Sequence, residues 1–440
     1  MENKFELLAP AGDMEKLKTA IHFGADAVYF AGKKFGLRAF ASNFENIAEP
    51  VEYAHKFGKK AYVTVNIYPR NNDLDELEKY IKEIAVAGAD GVIVSDIGIM
   101  DTIQRVAPNL ELHISTQANT TNINSALAYV NHFNAKRVVL ARELSLDEVS
   151  LITKNLAEKN VEVEVFVHGA MCISYSGRCL LSNYLTGRDS NKGECVQACR
   201  YSYYLSERAD APENSKFAEE RKDNYYQVLE DNRGTYILNS KDLCLVHYLK
   251  ELMNAGVKSF KIEGRMKSPY YLATVVNTYR RAIDAIIKNQ EDKRLNSADY
   301  VTELEKSSHR KYTTGFMVDD GEIRQNYETN HQTQTANFLG IVKGKRVRRD
   351  DGRVELLIEM RNRFKVGDII EILSPTVAFN QRFVIEEMQD NNGESVTDAK
   401  KVQQKLYVLL APTHSDVSML AESSLQAVLE GDIIRTVATI

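Results

Sequence analysis

Residues 5–30, FELLAPAGDMEKLKTAIHFGADAVYF, decide the fold class. A short apolar run at 5–9 is followed by good helix formers with helical periodicity at 13–23, and then by a second short run at 27–30. Strand, helix and strand so closely spaced read as one βαβ unit of a parallel sheet. The LLAPAGD turn after the first run is not a GxGxxG, so the phosphate loop typical of an open dinucleotide-binding sheet is missing.

The alternation continues outward. Further strands are expected at 61–67, 91–94, 112–115, 137–140, 161–167 and 259–262, with helical stretches such as 74–87 and 146–157 between them. Eight units over about 290 residues fit a closed TIM-type (β/α)8 barrel of the α/β class better than an open sheet. The pattern breaks once, after Val167, where about 70 residues precede a helix expected from about Lys241 and the last strand. An insertion of that length after strand 7 points to function, because barrel active sites are made from these loops. Part of it, 206–233 with EERKDN at 219–224, is charged enough to read as a solvated excursion.

Beyond the helix ending near Lys288, a polar stretch runs to Thr335, and short alternating strands follow at 340–342, 354–359, 368–372, 383–387 and 406–410. Their spacing suggests a small C-terminal antiparallel β-barrel. The division expected is a TIM-type barrel at 1–295 with a cysteine-bearing insertion at 169–235, a linker at 296–334, and the β-barrel at 335–440.

The chain has 440 residues, 44% hydrophobic and 27% charged, which is ordinary for a soluble protein of more than one module. MENKFELLAPAGD has no cationic start, apolar core or cleavage site, and no later run approaches the roughly 18 apolar residues that span a bilayer. A cytoplasmic location without membrane contact is therefore expected. A net charge of −5 gives no global attraction to phosphate, so any nucleic-acid binding must rest on local patches.

Four of the five cysteines fall within 28 positions, in VHGAMCISYSGRCLLSNYLTGRDSNKGECVQACR at 167–200. Cys172 and Cys179 are seven apart, Cys195 and Cys199 four apart. Such clustering in a reducing compartment points to a metal or redox site. Four soft ligands suit an iron–sulfur cluster or tetrahedral zinc. Structural zinc usually takes two tight CxxC pairs, so this spacing favours iron–sulfur while leaving zinc open. Cys244, in NSKDLCLVHYL, is expected on an apolar helix face as a core residue, with replacement of one of the four ligands as the alternative.

The C-terminal ends of the expected strands are polar: Asn66 and Tyr68, Ser95 and Asp96, Ser115 and Gln117, Arg142 and Glu143, His168, then Lys261, Glu263, Arg265 and Lys267. In a TIM barrel such residues read as functional, and His168, Glu143, Lys261, Glu263 and Arg265 are the catalytic candidates. Lys261, Arg265 and Lys267 make the rim locally cationic, which suits a carboxylate or phosphate ligand. Structural roles compete: Glu143 can pair with Arg265, and Asp96 can cap the next helix. His168 lies four residues before Cys172, but thiolate ligation would remove a cysteine nucleophile, and no HExxH or GxSxG supports another hydrolase.

ELLAPAGD, GADAVYFAG, VNIYP, SDIGI, STQAN, ARELS, EVFVHGAMCISYSGRCLLS, NSKDL and KIEGRMKS, in this order, resemble peptidase family U32, the collagenase-like peptidases, over nearly the whole chain. With GECVQACR and the C-terminal β-barrel, the chain looks most like the family's prephenate-dependent tRNA uridine hydroxylases. The resemblance implies that Cys172, Cys179, Cys195 and Cys199 hold a [4Fe–4S] cluster, with zinc the minor alternative. It also implies oxygen-independent conversion of wobble uridine to 5-hydroxyuridine, with prephenate or a derivative as cosubstrate. The two carboxylates of this small acid suit Lys261 and Arg265, and the target base is expected to flip into the concave mouth. For tRNA binding, VKGKRVRR at 342–349 offers Lys343, Lys345, Arg346, Arg348 and Arg349, with a charged, solvated edge strand as the alternative. Hydroxylation of an rRNA base, a U32 peptidase activity and a hetero-oligomer with a U32 paralogue are the other possibilities that the family raises.

Overall fold

Eight apolar runs become the parallel strands β1 (Glu6–Pro10), β2 (Ala27–Phe30), β3 (Lys60–Val65), β4 (Gly91–Val94), β5 (Glu111–Ile114), β6 (Arg137–Val139), β7 (Glu162–Ala170) and β8 (Ser259–Ile262). Each pairs with the next, and β8 pairs with both β7 and β1, closing the barrel. This computed structural model describes residues 5–37, 41–200, 203–204, 217–219, 225–226, 240–290, 292–318, 332–348, 350–413 and 419–437. β2 and β4 are buried along their whole length, as strands walled by side chains on one face and helices on the other must be.

The α-helices up to the second barrel are α1 (Met14–His22), α2 (Ala48–Lys56), α3 (Leu77–Val86), α4 (Ile97–Val106), α5 (Ile123–Phe133), α6 (Leu146–Ala157), α7 (Leu181–Thr186), α8 (Leu249–Asn254), α9 (Pro269–Lys288) and α10 (Tyr300–Leu304), and one more, α11 (Met419–Gln426), lies within the second barrel's sequence. Local chemistry starts several of them at the mouth. Asp13, Asp96, Asn122, Ser145 and Ser268 each accept a backbone N–H at an N-cap, Ser145 with Glu148 forms a capping box, and Pro269 opens α9. Asp96 is thus a helix cap, the structural alternative weighed for it.

Charge, not apolar packing alone, fills part of the barrel interior. Arg137, 2% exposed, donates to Glu6 (2.6 Å) and Glu164 (3.2 Å), while the Lys261 ammonium lies 2.6 Å from Glu164. Ser259 and Tyr62 also donate to Glu6, at 2.7 and 2.8 Å.

Two stretches differ from the sequence reading. The helix expected from Lys241 is instead a strand, Asp242–Cys244, antiparallel to the far end of β7, and helix α8 begins only at Leu249. β7 outruns its neighbours and needs a partner there, and the Asp242 carboxylate accepts the Arg310 N–H at 3.0 Å, fixing the strand from the other side. Residues 296–313 carry α10 and a strand, Tyr312–Thr313, parallel to 242–244. Of the excursion at 206–233, only the backbones of Phe217–Glu219 and Tyr225–Tyr226, which pair antiparallel, fall within the described residues.

The second barrel comprises β9 (Phe338–Val347), β10 (Val354–Met360), β11 (Ile369–Leu373), β12 (Gln381–Gln389), β13 (Lys405–Pro412) and β14 (Ile433–Thr436), closed in the order β9-β10-β13-β12-β11-β14. β14, which the sequence reading passed over, joins β9 to β11 and so closes it. The two barrels share one core that includes Ile341, Leu373, Phe379 and Ile433. No helix among the described residues is long and apolar enough to cross a membrane.

Candidate active site at the barrel mouth

The strand ends converge on a cavity of about 100 Å³, lined from below by Tyr29, Thr64, Asn66, Ser115, Gln117, Arg142, Phe166, Lys261, Glu263 and Arg265. Ser190, Gly193 and Cys195 line it from above, so the cysteine-bearing insertion is its roof. Ordinary ligand pockets run from roughly 300 to 1,000 Å³, so the space left beneath this segment is small.

The roof is tied to the mouth loops at several points. The Tyr68 N–H donates to the Asn191 carbonyl (3.1 Å), Lys192 pairs with Asp73 (2.8 Å), and Ser176 N–H donates to Glu143 (3.3 Å). Gly177, at φ +75°, sits so close to the Gln117 carbonyl and the Tyr68 ring that an added Cβ would collide with both. Within the roof, the Ser190 hydroxyl and the Asn191 amide both donate to the Cys179 carbonyl, at 2.7 and 3.1 Å.

The structure brings together Asn66, Ser115, Gln117, Arg142, Glu263 and Arg265 as expected neighbours. Arg265 is 3% exposed and donates to Thr64 (3.1 Å); Arg142 donates to the Ala170 carbonyl (2.9 Å) and lies 4.0 Å from the centre of the Phe166 ring. Glu143 stands under the roof outside the cavity lining, where its carboxylate accepts the Ser176 N–H and tethers the roof. Lys261 touches the cavity but is not the rim cation expected. It is 4% exposed and bound to Glu164; burial pulls its ammonium below the usual range, and Glu164 opposes that pull. Lys267 is absent from the lining and donates to Ser308 (3.0 Å) and Gln332 (2.8 Å). Sequence reading passed over Tyr29, Thr64 and Phe166, whose signal is their place near the C-terminal ends of apolar strands. Tyr29 donates to the Ile262 carbonyl (2.9 Å) and Glu263 (3.3 Å), which orients the acid of the pocket.

Cys172 is exposed, and Cys179, Cys195 and Cys199 are half-buried on the one roof segment. Burial pushes the Cys199 thiol up to about 11; Arg200 opposes this, and Cys172, Cys195 and Cys179 add to it. Four soft sulfur donors carried on one segment are a donor set that suits a [4Fe–4S] cluster in kind. Among the described residues no three His, Cys, Asp or Glu side chains are drawn into a metal cage. Cys244 is buried in its strand, 3.9 Å from the Tyr279 hydroxyl, and belongs to the core.

His168 lies below the mouth rather than on it. It is 1% exposed, ringed by Tyr271, Tyr279 and Tyr312, with Nδ1 3.3 Å from the Tyr279 hydroxyl. Burial is the main cause that lowers its imidazole to about 3, so it is neutral and structural at ordinary pH. Protons then bind the unfolded chain first: stability is full above pH 6.5 and falls by up to about 1.4 kcal/mol per pH unit toward pH 3. His168→Phe keeps a ring in the cage and is expected to flatten this slope in urea unfolding. An unchanged slope would assign the titration to another group.

In the C-terminal hairpin the basic residues are committed internally. Lys343 lies 3.7 Å from Glu359, Lys345 donates to the Val428 carbonyl (3.0 Å), Arg346 pairs with Glu355, and Arg348 meets Glu387 at 3.0 Å. Arg346 also stacks on Tyr407, 3.5 Å from the ring centre. Arg349 lies outside the described residues. Each described cation of this segment therefore has an acid or a carbonyl beside it.

The sequence matches peptidase family U32 over residues 12–327 and the peptidase family U32 C-terminal domain over 334–435. It is 39% identical over 416 residues to tRNA hydroxylation protein P1 of Bacillus subtilis, covering 92% of this chain and 93% of that one. It is 36% identical over 425 residues to tRNA hydroxylation protein P of Escherichia coli, covering 89% and 91%. A 23S rRNA 5-hydroxycytidine synthase of Escherichia coli is 36% identical over 321 residues, covering 72% of this chain but 45% of its own. With the match running through both barrels and relatives aligned nearly end to end, the chain belongs to peptidase family U32.

Proposed function

We propose that this protein is an RNA-modifying enzyme that hydroxylates a tRNA uridine, converting wobble uridine to 5-hydroxyuridine at the roofed mouth of the TIM-type barrel. The observation that carries this reading is a polar pocket under a four-cysteine roof, in a chain whose near-full-length relatives are named for tRNA hydroxylation. Replacing C5–H by C5–OH removes two electrons from the base and adds an oxygen atom. None of the side chains lining the pocket is an oxidant or an oxygen donor, so a cosubstrate and a cofactor belong to the reaction.

In this reading the cosubstrate is prephenate or a derivative, and the guanidinium groups of Arg265 and Arg142 are its carboxylate partners. Lys261 gives up that role because Glu164 already holds it. Two planar guanidinium forks match two carboxylates better than a single ammonium does. Cys172, Cys179, Cys195 and Cys199 would hold a [4Fe–4S] cluster, which when bound supplies one-electron and Lewis-acid chemistry. Glu263, oriented by Tyr29 and the Gly264 N–H (2.8 Å), is the group placed to move a proton. The peptidase alternative is disfavoured because His168 is buried, neutral and bonded to Tyr279 rather than to a roof thiol.

The test is mass spectrometry of nucleosides from tRNA and rRNA of a strain lacking the gene, grown without oxygen and complemented with wild type, Arg265→Ala or Cys179→Ala. The expected result is loss of 5-hydroxyuridine derivatives restored by wild type alone. Intact tRNA with a missing rRNA hydroxylation would overturn the tRNA assignment, and no change in either would overturn the reading.

A further inference from the structure

We propose that the outer face of the cysteine roof is the docking surface for an unpaired RNA loop, with Tyr184 and Tyr175 as stacking platforms and Arg178 as a phosphate partner. This rests on the RNA-modifying reading and names the surface through which the substrate reaches the mouth.

Three large apolar side chains stand in solvent within ten residues of the roof: Tyr184 is 84% exposed, Leu180 69% and Tyr175 61%. Single exposed hydrophobics are common on any protein, but a cluster on one tethered segment marks an interaction face. The Tyr184 N–H donates to the Leu180 carbonyl (2.9 Å), so the two lie one helical turn apart on the same face of α7. Tyr175 and Arg178 are joined by a turn in which the Arg178 N–H donates to the Tyr175 carbonyl (3.0 Å). Gly177 within that turn is seated against Gln117 and Tyr68, while Tyr175 and Arg178 on either side of it are exposed.

Charge favours RNA over another apolar partner. Residues 171–200 carry Arg178, Arg188, Lys192 and Arg200 against Asp189 and Glu194; Lys192 is held by Asp73 and Arg200 donates to the Met171 carbonyl, so Arg178 and Arg188 are the exposed cations of the segment. Arg178 is exposed and makes no ion pair among the described residues. Every base has a face to stack on an exposed tyrosine, and only an unpaired loop presents such faces singly. Ser190, Gly193 and Cys195 of the same segment line the pocket, so the surface that would hold the loop and the cavity that would receive an unstacked base are built by one stretch of chain. The C-terminal hairpin, the other basic segment, has its cations tied to neighbouring acids and carbonyls.

The experiment is fluorescence anisotropy with an RNA stem–loop carrying a loop uridine, and with the paired stem alone, across a salt series. Tyr184→Ala and Tyr175→Ala are each expected to weaken stem–loop binding roughly tenfold and stem binding little, with Tyr184→Phe restoring affinity. Arg178→Ala is expected to lower the slope of log affinity against log salt by about one. Because these side chains are exposed, the thermal unfolding midpoint should not move. If wild type binds the stem–loop and all three alanine variants bind it within twofold, the roof is not the docking face, whatever the enzyme does. If the variants change only the oligomeric state on size exclusion, the face is a protein interface and the proposal falls. If wild type binds neither RNA, the RNA-modifying reading itself fails, and the proposal with it.

Discussion

Arg137→Met is expected to destabilise the TIM-type barrel by about 3–5 kcal/mol, read as a fall in the urea midpoint, because it strands buried carboxylates in the barrel interior. Arg137 donates to Glu6, Glu162 and Glu164, and Glu164 is fully buried while Glu6 is nearly so. Burial opposes its charge, but Glu6 and the neighbouring acids more than offset this and hold the guanidinium well above its usual range. Methionine keeps the stem and removes every donor. Adding Glu6→Gln should recover part of the loss, since Lys261 still neutralises Glu164 and the uncompensated Glu6 charge is gone. If Arg137→Met leaves the midpoint within about 0.5 kcal/mol of wild type, the interior network is not a source of stability.

That network explains where the sequence was legible and where it was not. Strands such as β2 and β4 are buried on both faces, so an unbroken apolar run announces them without any knowledge of their neighbours. Asp13, Asn122, Ser145 and Ser268 likewise act on backbone N–H groups a few residues away, and local sequence suffices to see them. Lys261 reads as a rim cation because its true role depends on Glu164, 97 positions earlier, and no local pattern states that the two meet. Residues 296–334 read as a linker for the same reason: they are polar, yet Glu303 and Lys306 are buried by partners on β11 and β14. At the mouth, Asn66, Ser115, Gln117, Arg142, Glu263 and Arg265 were recognisable from their position after strands. His168 shares that position, but the long end of β7 carries it under a tyrosine cage. Composition marked the cysteine segment as functional, but only the tethers from Tyr68, Asp73 and Glu143 show it to be a roof.

The junction between the barrels yields the second large effect: Arg435→Met is expected to cost about 3–5 kcal/mol and to split one cooperative unfolding transition into two. Arg435 is fully buried on β14 and donates to Glu303 (2.6 Å), Glu371 (2.9 Å) and Asn380 (2.6 Å). Lys306 lies 2.8 Å from Glu303 and 2.7 Å from Glu371, and the more exposed Arg382 reaches Glu371 at 3.5 Å, so Arg435 and Lys306 are the buried cations that balance the two acids between α10 and the C-terminal barrel. Removing Arg435 leaves Glu303 with Lys306 alone, which it shares with Glu371. Burial alone would raise the Glu303 carboxyl; Arg435 and then Lys306 overcome it and hold the group at about 2. The stability this supplies is present above pH 4.5 and lost as pH falls toward 2, so the variant should also lose that part of its acid dependence. Around the ions, Tyr270 stacks on Phe338 at 5.5 Å and Arg281 covers the Phe379 ring at 4.1 Å; Arg435 also hydrogen-bonds Tyr270, so the substitution touches the first contact and leaves the second in place. Calorimetry and limited proteolysis distinguish the outcomes. Two transitions, with the C-terminal barrel released first, follow if the ion cluster couples the barrels; a single transition at the wild-type midpoint would mean that the shared apolar core couples them without it.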